Sequence, residues 1–184
     1  MTRIFTTLAA VNFLALLASY LVGWLSKSRA AVLHPDDATF WIHLHLGLYT
    51  ALLSLFVHSL IFVYFLGTGR WVKEVALAYD LPDQPYPKLT RELKRQAFPP
   101  ALFAMLIAIA TTSAGAAAQV QMWPWWVHAT LATLTLLVNG WAYVVEYRCL
   151  RTNIVALEEV TVEIERLRAE RGLPTNAEAL EQDV

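Results

Sequence analysis

An all-α fold is what the sequence predicts: a four-helix transmembrane bundle with both termini inside and a cytoplasmic C-terminal helix extension. Three observations predict it. Of 184 residues, 57% are hydrophobic and only 16% are charged, where a soluble domain carries roughly a quarter charged. The apolar residues gather in four runs, each near the ~20 residues needed to cross ~30 Å of hydrocarbon. Lys and Arg fall almost entirely on one side of those runs, and positive segments stay in the cytoplasm.

The first run covers residues 4–25 and is broken only by Thr6, Thr7, Asn12 and Ser19. It exceeds the ~7–15 apolar residues of a signal peptide, so a retained span is expected. The second covers residues 40–66 and is the longest. The third opens at Phe98-Pro99-Pro100 and reaches about residue 120; proline suits the first turn of a helix, where its missing N–H costs nothing. Its small-residue stretch from Ala114 to Ala118 predicts close helix packing. The fourth covers residues 125–147. Residues 1–150 therefore form the bundle, residues 151–173 a cytoplasmic amphipathic helix, and residues 174–184 a flexible acidic tail.

Between the second and third runs lie Arg70, Lys73, Lys88, Arg91, Lys94 and Arg95. The tail adds Arg148, Arg151, Arg166, Arg168 and Arg171, and the start adds Arg3. The opposite side holds only Lys27 and Arg29. Location in the inner (cytoplasmic) membrane follows, with Trp41, Trp123, Trp125 and Trp126 as an outer aromatic belt and Trp71 at the inner interface.

The inner segment reads as a helix stop at Gly67-Thr68-Gly69, then a short amphipathic helix from Arg70 to Tyr79 with Trp71, Val75 and Ala78 on one side. Pro82, Pro85 and Pro87 then speak against regular structure. The basic stretch from Lys88 to Arg95 suits anionic lipid headgroups or a docking protein. Beyond the fourth span, Leu157, Val160, Ile164 and Leu167 form a short a/d stripe. That stripe must cover either the inner loop or another subunit, so these four are candidate partner-binding residues. Gly172 and Pro174 end the helix.

Polar groups inside a membrane are the default functional suspects. Asn12, His58 and Asn139 fall at one depth, ~12–14 Å from the inner boundary at ~1.5 Å per residue, and can form a hydrogen-bonded layer. Such a layer sets helix register, or lets His58 handle a proton or ligand. Glu146 lies near the inner end of the fourth span, where Arg148 or Arg151 can neutralise it. The single cysteine, Cys149, sits at the boundary and has no partner for a disulfide or zinc site; reversible lipidation is the alternative to an inert thiol.

Near the outer face lie His43, His45 and His128, the candidate haem or metal ligands. His43 and His45 are ~200° apart around a helix, so one of them can face His128. Gly47, one turn away, leaves room for a flat ligand. Two histidines from facing helices are the ligand set of a six-coordinate b-type haem. The spacing of His45 and His58 resembles that of the membrane cytochromes b, in which histidines about 13 or 14 residues apart on two helices hold two haems. The fourth helix has no histidine near Trp141 or Ala142, so the two-haem arrangement is not met and a single-haem site remains. Interfacial packing, a quinone headgroup site, or a metal site joined by His34 or Asp36 are its competitors.

No phosphate loop, HExxH, nucleophile elbow or cysteine metal box occurs, so no catalytic residue is assigned. The near-neutral charge and the lack of aromatic-interleaved basic segments exclude nucleic acid. Two functional expectations follow. One is an accessory subunit of a larger membrane complex, respiratory or photosynthetic, partnered by other integral membrane subunits and lipid. The other is a single-haem b electron carrier or quinol-reactive protein.

Overall fold

The computed structural model describes residues 1–29, 38–175 and 178. The candidate loop ligands His34 and Asp36 and most of the acidic tail lie outside them. The described residues form four long helices, α1 (Thr2–Arg29), α2 (Ala38–Tyr79), α3 (Tyr86–Gln119) and α4 (Trp125–Glu170), and no strand. All four are long and apolar enough to cross a membrane.

The polypeptide divides into two compact units. The first comprises residues 1–62 and 97–147, with a segment of every helix; the second comprises residues 63–96 and 148–184.

The packing of the first unit follows a seven-residue rhythm. On α1 the buried positions include Phe5, Asn12, Ser19 and Ser26, each seven after the last. On α4 they include Thr135, Asn139, Ala142 and Glu146, alternating four and three. Buried positions at this spacing form one continuous face along each helix, as in the seam of a helix bundle. On α3 the seam is lined by Ala97, Ala101, Ala104, Ala108 and Ala114, nearly all without exposed surface. Methyl side chains let helix backbones approach closely, which suits association in lipid, where apolar burial alone does not drive helices together. The larger apolar residues, such as Leu14, Leu52, Phe56, Phe103, Leu106 and Leu137, point outward. An inside-out distribution of this kind places the solvent-facing role on hydrocarbon.

Two sequence expectations about helix ends are overturned. The helix does not stop at Gly67-Thr68-Gly69: α2 runs on to Tyr79. Ile61, Phe65, Val72 and Ala76 are all buried, so one apolar stripe keeps its register through both glycines. The buried face of residues 70–79 is therefore Val72 and Ala76, while Trp71 is on the exposed side. Likewise α3 begins at Tyr86, and Pro99 and Pro100 lie inside it. Their missing N–H groups release the carbonyls of residues 95 and 96. Both of those residues are exposed, so water can take the freed acceptors. Pro87 falls in the first turn of α3, where proline is tolerated, and the basic stretch Lys88 to Arg95 is helical.

The second unit explains the a/d stripe of α4. Val160 and Ile164 are buried, at 1% and 3% exposure, so the chain covers its own stripe. Leu157 and Leu167 of the same stripe are only half-buried. Asn153 is buried as well and donates to Tyr64 Oη and Thr68 Oγ1 at 3.0 and 3.2 Å. Cys149 is buried, with Sγ 4.0 Å from Gln96 Oε1, which removes the lipidation alternative. α4 ends at Glu170, just ahead of Gly172 and Pro174.

Candidate functional site: two histidine centres in the bundle

Every side chain of this site belongs to the first unit. Two centres emerge, and each pairs a histidine of α2 with a ring on α4. His43 and His128 lie with ring centroids 6.0 Å apart and planes at 68°. Fifteen residues further along each helix (58 − 43 and 143 − 128), His58 and Tyr143 stack at 4.9 Å and 11°. Fifteen residues of helix amount to ~22 Å.

At the first centre each histidine is anchored by one nitrogen. His43 Nδ1 lies 3.0 Å from Ser19 O on α1, and His128 Nδ1 lies 3.0 Å from Thr111 O on α3. A carbonyl only accepts, so Nδ1 carries the proton in both rings. Nε2 is then left with a free lone pair. Each ring also rests on a glycine of a neighbouring helix. A Cβ at Gly23 would come within 2.7 Å of His43 Cε1, and one at Gly115 within 3.0 Å of His128 Cε1. No side chain fits at Gly23 without displacing the ring. The histidines and the close-packing stretch that contains Gly115 are legible in the sequence; Gly23 as a seat for His43 is not, because the two sit on different helices.

His45 takes no part. It is exposed, bonds the carbonyl of Trp41 on its own helix at 2.8 Å, and lies against the Trp41 ring. Of the two histidines offered to His128, the geometry selects His43. Gly47 does not open space for a ligand beside it: a Cβ there would meet Ser19 Oγ at 3.5 Å, which is ordinary contact with α1.

The second centre gathers Asn12, His58 and Asn139, none of which has any exposed surface. His58 Nε2 lies 3.0 Å from Asn139 Oδ1. Tyr143 Oη donates to Asn12 Oδ1 at 2.6 Å, and Asn12 Nδ2 donates to Thr50 O at 2.9 Å. Ser54 Oγ donates to Asn139 Oδ1 at 2.7 Å.

The largest correction concerns Glu146. It is not neutralised by Arg148 or Arg151. It is fully buried, and its Oε1 lies 2.6 Å from His58 Nδ1. A signal for it was present in the sequence: Glu146 is seven residues after Asn139 and so shares its helix face. Tyr143 and Ser54 follow the same rule, each one turn from a residue of the layer. On α4 the ring that faces His58 is Tyr143, in place of a second histidine.

Aromatic residues collect on α1 and α4 beyond the first centre. Trp24 and Trp125 meet edge to face at 5.9 Å, and Lys27 Nζ lies 4.8 Å from the Trp125 ring. Among the described residues no group of three or more His, Cys, Asp or Glu could hold a metal ion. Among the described residues the first centre offers two histidines, His43 and His128.

No protein-family model, curated protein or solved structure matches the chain.

Proposed function

We propose that the protein is a multi-pass membrane electron carrier that holds one b-type haem between His43 and His128. The observation that carries this reading is the facing pair, with Nδ1 of each ring tied to a carbonyl and Nε2 of each left to bind. That outer hydrogen bond fixes the tautomer and raises ligand basicity. The two ring centroids are 6.0 Å apart, and His43 and His128 would supply one unused nitrogen each. Two protein ligands are too few for a bare zinc ion, which takes three or four. They suffice for an iron whose other four ligands come with its macrocycle. Once bound, such a haem exchanges single electrons. The chain's own part would be to hold the rings of His43 and His128 in their tautomers and to surround them with apolar helices.

The charge asymmetry supports a topology with both ends in the cytoplasm, in the cytoplasmic membrane. In that orientation the haem site lies in the outer half. The stretch of α4 after residue 147 then extends into the cytoplasm. Nearly all of the described residues are helical. Other integral membrane subunits complete the path, so the protein acts as a subunit of a larger redox assembly. Purification in mild detergent tests that part: a lone monomer that keeps no partner would count against it.

The absorption spectrum of the purified protein tests the haem. A Soret band is expected, lost in His43→Ala and in His128→Ala and kept in His45→Ala. No band, or one that survives His128→Ala, sinks the assignment.

A further inference from the structure

His58 meets an acceptor at each ring nitrogen, and this constrains its protons. Asn139 Nδ2 donates to Thr135 O at 2.8 Å. A carbonyl cannot donate, so the amide cannot be turned around, and Oδ1 is the atom that faces His58 Nε2 at 3.0 Å. His58 Nε2 therefore carries a proton. Nδ1 and Glu146 Oε1 are 2.6 Å apart. A bare ring lone pair against an oxygen lone pair at that distance is repulsive, so a second proton must lie between them. The contact is shorter than the ~2.7–2.9 Å usual for charge-assisted N–H···O bonds.

The proton count follows. The pair carries one proton more than a neutral imidazole beside a carboxylate. Written as imidazolium with carboxylate, or as imidazole with carboxylic acid, it is neutral overall. Neutrality is what burial demands, since both side chains have no exposed surface and a net charge inside a membrane is expensive. The surroundings do not supply another charge. From α1 the facing group is Asn12, from α2 Thr50 and Ser54, and from α4 Tyr143 and Asn139; α3 reaches the network through Thr135, whose Oγ1 lies 2.7 Å from Thr111 Oγ1, and it too brings an uncharged group. Glu146 Oε2 is also buried and meets no hydrogen-bond donor.

We propose that His58 and Glu146 form an intramembrane proton-binding site that holds one exchangeable proton. The proton occupies the line from His58 Nδ1 to Glu146 Oε1. Its transfer breaks the N–H bond as the O–H bond forms; the ring loses its positive charge and the carboxylate its negative one. No electron moves and no other reactant is consumed. Glu146 Oε2, buried and without a protein donor, is the atom open to a further hydrogen bond. A buried polar atom without a protein partner is where an ordered water is expected. The site stands on different residues from the haem ligands, and its test does not depend on them.

The test is nuclear magnetic resonance of the full-length protein, ¹⁵N-labelled at histidine, in lipid vesicles at neutral pH. The expected result is a His58 ring protonated at Nε2, with a strongly downfield proton on Nδ1. That proton signal should disappear in deuterated water. It should be lost in Glu146→Gln and move upfield in Glu146→Asp, which withdraws the carboxylate by one methylene. A His58 ring bare at Nε2, or one without a downfield Nδ1 proton, overturns the proposal in the wild-type protein alone, whether or not the variants fold. A signal that outlasts days in deuterated water also overturns it, because the pair would then be a sealed structural contact. A signal unmoved in Glu146→Asp removes Glu146 from the site.

Discussion

The two histidine centres share a scaffold and differ in what they leave open. At the first, each ring commits one nitrogen to a backbone carbonyl, and both rings are only half-buried. At the second, both nitrogens of His58 are committed to side-chain acceptors, and no surface is exposed. A half-used imidazole can bind a ligand; a fully used one can only hold protons. The same residue type thus takes two chemistries because its partners differ, a carbonyl in one place and a carboxylate with an amide in the other.

Removing Glu146 should break the comparison most severely. Glu146→Ala strands His58 Nδ1 in the core and opens a cavity, and should cost about 3 kcal/mol. Unfolding of the purified protein in a denaturing detergent titration measures it. Adding an apolar replacement of His58 should recover part of the loss, since replacing both partners costs less than orphaning one. A double variant less stable than Glu146→Ala would show that the pair's mutual bond is not what matters.

Gly23→Ala comes next. Its Cβ would sit 2.7 Å from His43 Cε1, and overpacking of this kind costs about 1–3 kcal/mol. The Soret band should fall or vanish while the His58 proton signal stays. Gly115→Ala, with 3.0 Å to His128 Cε1, should have the same effect more weakly. Loss of the His58 signal in either variant would show that the centres are not separable.

His45→Ala should change stability by no more than about 0.5 kcal/mol and leave both centres intact, because its ring is exposed and bonds its own helix.

The smallest effect is expected at Asp83, which is a solvent reference for the buried pair. Hydrogen bonds from Arg91 at 2.7 and 2.8 Å hold its carboxyl below the usual carboxylate range. Its contribution to stability is present above the ordinary aspartate value and is lost as pH falls through the lowered one. Carboxyl chemical shifts in a pH titration should show the depressed midpoint return to normal in Arg91→Ala. An unchanged midpoint would assign the shift to another cause.

Much of this architecture was legible in the chain. Four apolar runs became four helices because hydropathy and length are local properties. Asn12, His58 and Asn139 could be placed at one depth because rise per residue is constant. Helix ends were less legible. Gly67, Gly69, Pro99 and Pro100 carry strong local stop signals, yet the helices run through all four positions. Continuous buried stripes on α2 and α3 outweigh a local cost of about 1 kcal/mol for glycine and about 3 for proline.

The sequence by itself determined the class of the molecule, the number of its apolar helices and which polar side chains must be reckoned with in the membrane. Composition and periodicity are enough for that. Only the tertiary structure decided which groups meet. It chose His43 over His45, seated the two rings on Gly23 and Gly115, turned Glu146 from a boundary charge into the partner of His58, and folded the Val160 and Ile164 stripe into the chain's own second unit. Those choices depend on the rotation of each helix about its axis. That rotation is set by every side chain in the seam together, and no single stretch of sequence contains it.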